Sequence, residues 1–283
     1  MMPDDLLLHP RTRQLVDKLS IHLPHGLIID GPNGIGVRQL AETLAKGVGS
    51  PVLVIKPKKK VKGEWAVDPK EGSVIIDDIR QLYEQTRTRQ PGKQVYIIDT
   101  GEKSMTHAAQ NAFLKLLEEP HTGLHFIIAT HQFDQLLPTI TSRSQRLSLH
   151  PITDEQTNDL ITSLHITDST KRARLAFVGR GRPALIKRLA DDDTLYAARV
   201  TIMTDAKTMI SGSTYEKLTV IHRYRDSRGD SLTLIDDMNH QLQTILRSQP
   251  NPRLVREIDS HLETRSRILA GRNIRLQLAR DVL

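Results

Sequence analysis

The sequence predicts an α/β fold, a parallel sheet with flanking helices, followed by helical segments to the C-terminus. Three observations predict it. Apolar strand-like runs alternate with helix-like segments through residue 150, a glycine-rich turn stands between the first clear strand and the next helix, and the strand signal fades past His150-Pro151. Strands that alternate with helices are joined by crossovers, which makes them parallel and covers both faces of their sheet.

Gly26-Leu27-Ile28-Ile29-Asp30 reads as a buried strand, and the turn after it leads into a helix near Val37–Gly47. Val52–Ile55 is a second strand. Val74–Ile76 reads as a short strand, or a strand-like lead, before a helix over Asp78–Arg87. Val95-Tyr96-Ile97-Ile98-Asp99 is a strand without polar interruption. The next helix runs from about His107 to Glu119, with Thr106 as its N-cap and Pro120 as its stop. Ala109, Ala112, Phe113, Leu116 and Leu117 share one of its faces. Phe126–Thr130 and Arg146–Leu149 complete the strands. Residues 151–192 predict three short helices, the last two parted by Gly179-Arg180-Gly181-Arg182-Pro183, and residues 195–283 read as helical throughout. There, Leu254, Ile258 and Leu262 form an i, i+4, i+8 stripe that Ile268 and Leu269 extend.

At 283 residues the chain exceeds what one core usually organises, so two or three domains are expected. No apolar run reaches the length of a membrane span, and the Met-Met-Pro-Asp-Asp start lacks a signal-peptide core, so a cytoplasmic protein without a membrane partner is expected. Cysteine is absent, which excludes disulfides and thiolate metal sites; no metal and no zinc are expected. The net charge of +7 suits a protein that meets phosphate backbones, and equally one that never touches nucleic acid, while four Phe, five Tyr and one Trp give poor support for a base-stacking platform.

Gly31-Pro32-Asn33-Gly34-Ile35-Gly36 occupies the strand-to-helix position of a phosphate-binding loop, where backbone amides and a helix N-terminus converge on anions. The full pattern continues with Lys and then Ser or Thr. Here those positions hold Val37 and Arg38, so the charge for the β- and γ-phosphates and the magnesium hydroxyl are both missing. The turn is either a nucleotide loop that has lost its chemistry or a plain glycine-rich turn, with Arg38 as a substitute phosphate ligand the third option. The strand that ends in Asp-Glu in active nucleoside triphosphatases ends here in Asp99-Thr100, without the base. The basic run Lys56–Lys62 reads either as a DNA contact or as a charged, solvated hairpin tip.

Asn111–Pro120, Phe126–Thr130 and Leu136-Leu137-Pro138-Thr139-Ile140-Thr141-Ser142-Arg143 together resemble the clamp-loader AAA+ family of bacterial DNA polymerase III, in its delta-prime branch. Ser144 stands where that family has cysteine. Ile76–Arg80, Gly181–Leu185 and the surroundings of Asn273 carry weaker likenesses. The resemblance implies an AAA+ α/β domain over 1–150 with a degenerate phosphate loop, a small helical lid over 151–194, and an all-α collar domain over 195–283 that joins a ring. It implies that Arg143, preceded by Ser142, acts in trans as an arginine finger on a neighbour's ATP. It implies, further, that Gly31, Pro32, Gly34, Gly36, Asp99, Thr130 and Arg182 surround a vestigial nucleotide site with little or no binding of its own. The implied partners are the gamma/tau and delta subunits, the sliding clamp and primed DNA. The family's usual four-cysteine zinc module is absent, its interval Gly49–Gly72 holding the lysine run instead. Two other functions compete: an active gamma/tau-type ATPase, opposed by Val37, Arg38 and Thr100, and a stand-alone DNA-binding protein, opposed by the extent of the clamp-loader pattern.

Overall fold

The computed structural model describes residues 6–48, 52–87, 92–118, 122–280 and 282, so Met1–Asp5, Gly49 and Pro120 lie outside it. The chain divides into two compact units, one of Met1–Arg172 with Gly179–Arg188, the other of Ala173–Val178 with Leu189–Leu283.

The first unit opens with α1 (Pro10–Ile21), which the sequence reading did not single out. β1 (Gly26–Asp30), α2 (Val37–Gly47) and β2 (Val52–Ile55) follow, then a hairpin of β3 (Lys58–Val61) and β4 (Glu64–Val67). α3 (Ile76–Arg87), β5 (Gln94–Asp99), α4 (His107–Glu118), β6 (Leu124–Thr130), α5 (Pro138–Thr141) and β7 (Gln145–Ser148) complete the sheet region. Strand order is β2-β5-β6-β1-β7, and every pair is parallel. The expected parallel sheet with flanking helices is therefore present.

Alternation along each strand assigns its residues to two cores. Leu27 and Ile29 of β1, Val95 and Ile97 of β5 and Ile127 of β6 pack with Val16 and Leu19 of α1 and Leu40 and Leu44 of α2. Ile28, Tyr96, Ile98, Phe126 and Ile128 point the other way, onto Ile79 and Leu82 of α3 and Phe113, Leu116 and Leu117 of α4. Phe126 anchors that second core, edge-on to Phe113 with ring centroids 5.3 Å apart. Each fully buried side chain of this size contributes roughly 1.5–3 kcal/mol. Thr106 caps α4 as expected, its hydroxyl accepting from the Ala109 amide at 3.3 Å.

Of the two readings of Val74–Ile76, the strand does not form and the lead into a helix does. Asp78 accepts from the Ile75 amide at 3.1 Å, which starts the helix at Ile76, and only Ser73 makes a β-bridge, to Lys58. Val74 is apolar because it is fully buried in the core.

Three helices follow the sheet: α6 (Asp154–Ser163), α7 (Ser169–Gly179) and α8 (Pro183–Asp191). α6 carries a capping box between Thr153 and Gln156. The second unit is helical: α9 (Asp193–Ser211), α10 (Thr214–Tyr224), α11 (Arg228–Ser248), α12 (Pro252–Leu269) and α13 (Ile274–Arg280). The stripe expected on α12 is only half right. Ile258 and Ile268 are buried, but Leu262 and Leu269 are about half exposed, and His261 and Thr264 take the inner face. His261 is tolerated there because its Nδ1 lies 3.0 Å from Asn239 Oδ1. No described helix is long and apolar enough to cross a membrane.

Candidate functional site

The loop after β1 gathers most of the predicted site residues at the C-terminal ends of the parallel strands, where open α/β sheets place their ligands. Gly34 and Gly36 both have positive φ, +85° and +106°, which only glycine adopts without strain. Gly36 is the N-cap of α2, and without a side chain it makes no capping bond there. The carbonyl of Gly34 accepts from the Leu185 amide of α8 at 2.9 Å, and Arg182 Nη1 donates to the Asn33 carbonyl at 3.3 Å. The first turn of α8 thus sits on the loop. A Cβ at Gly34 would come within 2.7 Å of the Leu185 Cβ.

Val37, at the position of the phosphate-binding lysine in the full loop pattern, is buried with the α1 and α2 core and carries no charge. Arg38 points outward. Its Nε donates to Glu42 Oε1 at 2.8 Å, and its Nη1 lies 3.7 Å from Asp99 Oδ2. The other oxygen, Asp99 Oδ1, accepts from the Gly101 amide at 3.0 Å. The strand-end carboxylate therefore faces a guanidinium. Among the described residues no three His, Asp or Glu side chains cluster in a way that could hold a metal.

Thr130 is fully buried. Its hydroxyl accepts from Thr100 Oγ1 and from the Gln132 amide, both at 3.0 Å, which ties the ends of β5 and β6 together. His131 Nδ1 lies 2.8 Å from the Gly31 carbonyl oxygen. A carbonyl can only accept, so this nitrogen carries the proton.

Two arrangements escaped the sequence reading. Asp30, at the end of β1, is clamped by Arg146 through Nε at 2.8 Å and Nη2 at 2.9 Å, with Ser148 Oγ donating at 2.9 Å. The hydrogen bond to Asp30 holds the Arg146 guanidinium above its usual pKa, and the guanidinium also stacks 3.5 Å over the Phe133 ring. The alternation of β7 was the available signal, since it aims Arg146 and Ser148 to the same side. The second is the ion pair of Arg143 Nη2 with Glu118 Oε1 at 3.0 Å.

Arg143 and Ser142 lie apart from the loop. Their hydroxyl and guanidinium both donate to the Thr139 carbonyl, at 3.2 and 3.0 Å, which winds them onto the end of α5. Arg143 is more than a third exposed. Its carbonyl faces Gly26, at the N-terminal end of β1, whereas the glycine loop follows the C-terminal end at Asp30. Four residue steps of about 3.3 Å separate those ends, roughly 13 Å of strand.

A family model described as DNA polymerase III, delta subunit, matches residues 12–153, half of the chain. The chain belongs to this family. It is 26% identical over 175 residues to the DNA polymerase III subunit delta' of Haemophilus influenzae, covering 57% of this chain and 53% of that protein. Against the Bacillus subtilis subunit delta' it is 28% identical over 184 residues, 58% and 54% of the two chains. A gamma/tau subunit from Mycoplasma pneumoniae matches at 29% over 161 residues, 53% of this chain and 24% of that protein. The chain spans about half the length of the delta' relatives it matches. A gamma subunit-related protein of DNA polymerase III from Thermotoga maritima shares the fold, with a TM-score of 0.51 at 18% identity over 96% of this chain and 97% of the other. The clamp-loader family and the AAA+-like fold expected from the sequence are thus both found.

Proposed function

We propose that this chain is a non-hydrolysing, delta-prime-like subunit of a DNA polymerase III clamp loader that supplies Arg143 to ATP held by a neighbouring subunit. The observation that carries the proposal is the placement of Arg143. It is exposed at the opposite end of β1 from the chain's own glycine loop, so a phosphate that it serves belongs to another chain. An arginine presented to a γ-phosphate stabilises charge that develops in the transition state and is worth roughly 10³–10⁵ in rate. In the free subunit Glu118 and the Thr139 carbonyl hold the guanidinium, and Glu118 releases it when phosphate oxygens compete.

The subunit's own loop supports the non-hydrolysing role. Val37 supplies no charge, Arg38 opposes Asp99, and Thr100 stands where a catalytic glutamate is needed. An active gamma/tau-type ATPase would need a cation at Val37, a position inside the core. Within the proposal, residues 151–194 act as the lid, with Arg182 and Leu185 seated on the loop, and residues 195–283 act as the collar that joins gamma/tau and delta. The sliding clamp and primed DNA are met through the assembled ring, in the cytoplasm, without zinc or a nucleotide cofactor of this chain.

The test is reconstitution with gamma/tau and delta from the same organism. The purified chain alone is expected to release no phosphate from ATP above background, and the ring containing it to load clamps. Phosphate release by the chain alone that disappears on Gly36 substitution would overturn the non-hydrolysing role.

A further inference from the structure

The β3–β4 hairpin has no part in the nucleotide-loop geometry or in the Arg143 edge. Its two-residue turn is Lys62-Gly63, both with positive φ (+50° and +95°), the primed-turn geometry that matches strand twist. The base is fixed. Lys58 and Ser73 exchange two backbone hydrogen bonds, Asp68 donates its amide to the Pro57 carbonyl, and Lys58 Nζ donates to the buried Asp78 at 2.7 Å. Beyond that base every residue from Lys59 to Val67 is exposed.

Residues 56–67 hold five lysines against one glutamate. Lys60 is paired directly across the strands with Trp65, so ammonium and indole share one face. Trp65 is the chain's single tryptophan, and half of its surface is open to solvent. A tip kept soluble by charge has no need of an exposed indole, and lysines along both the strand and the turn discourage pairing with another sheet edge. The combination of phosphate-attracting ammonium groups and one aromatic face matches the chemistry that holds unpaired nucleotides, where the base stacks and the backbone follows the cations.

We propose that the β3–β4 hairpin binds single-stranded DNA, with Trp65 stacking on a base and Lys60, which shares its face, and Lys62 of the turn holding adjacent phosphates. The proposal rests on the hairpin alone and is independent of the role of Arg143.

Because Trp65 is the only indole, its emission reports the contact directly. Titration of the full chain with an oligo-dT of about twenty nucleotides at low salt is expected to quench that emission. With two phosphate contacts, the logarithm of affinity should fall against the logarithm of salt concentration with a slope of about −1.4. Lys60→Gln and Lys62→Gln together should flatten that slope toward zero. Followed by anisotropy of a labelled oligonucleotide, Trp65→Ala should weaken binding by about tenfold while Trp65→Phe retains most of it. All these positions are exposed, so the thermal midpoint should be unchanged and a folding defect is separable. Emission unaffected by the oligonucleotide would overturn the proposal, as would a salt slope that the lysine substitutions leave unchanged. Hairpin variants that weaken assembly with ring subunits but leave DNA affinity intact would also overturn it, marking the hairpin as a protein contact. Since the DNA titrations use the chain alone and every variant lies in the hairpin, none of these outcomes touches the Arg143 proposal.

Discussion

Arg38 and Val37 are neighbours with opposite fates, one out on Asp99 and the other in the core. Their order follows from the 100° turn between successive helical residues at the start of α2. Val37→Lys is therefore expected to lower the thermal midpoint and not to create ATPase activity, because the new ammonium enters an apolar environment. Scanning calorimetry with a phosphate-release assay checks both outcomes. Gly34 is constrained twice, by φ and by the contact with Leu185, so Gly34→Ala should destabilise the first unit by about 1–3 kcal/mol, read as a lowered urea midpoint. In the second unit, Arg199 donates twice to Asp237, with Nη2 to Oδ1 at 2.6 Å, and Asp237 is wholly buried. Asp237→Ala strands that guanidinium and should cost about 3–5 kcal/mol. The missing lysine and strand-end glutamate were legible in the sequence, because each belongs to a fixed spacing. The Arg146–Asp30 clamp was not, since its partners are more than a hundred residues apart and meet only through the β1–β7 pairing.

The elements divide along similar lines. β1, β5 and β6 were legible as continuous apolar runs because both faces of a parallel sheet are covered. α2 was legible because Gly36 sets its start and Val37, Leu40, Ala41 and Leu44 its buried side. Val74–Ile76 stayed open between a strand and the entry to a helix because a short β-branched run has no period long enough to separate them. The α12 stripe misled because a polar inner pair, His261 and Thr264, displaced leucines that sequence periodicity would put inside. At the start of α10, Ser213 and Glu216 form a capping box. The Ser213 hydroxyl, then its amide, hold the Glu216 carboxyl below its ordinary pKa. A depressed carboxylate contributes stability that is complete above the unfolded pKa of about 4.3 and is lost as pH falls through the lower folded value. Ser213→Ala should thus lower the urea midpoint at neutral pH and lower it less in acid, as measured by unfolding at both pH values.

At the scale of the molecule, the two units carry different chemistry. The sheet unit holds the loop, the edge arginine and the hairpin, and the helical unit holds buried polar pairs. Tyr224 is buried, donates to Asp205 at 2.7 Å and is pushed well above the ordinary tyrosine pKa by that burial and then by the hydrogen bond. A raised pKa gives stability that is fully present below the unfolded value of about 10 and is lost as pH rises toward the higher folded one. Tyr224→Phe should accordingly flatten the alkaline decline of the thermal midpoint. Under the proposed function, Arg143 works on a neighbour's nucleotide. Its most direct test is the DNA-stimulated ATPase and clamp loading of a ring reconstituted with Arg143→Ala, its assembly verified by gel filtration. The expected result is a normally folded subunit, an intact ring, a partial fall in total ATP turnover because one site loses its arginine, and a larger fall in clamp loading. Unchanged turnover and loading in that intact ring would contradict it and leave the chain a scaffold only.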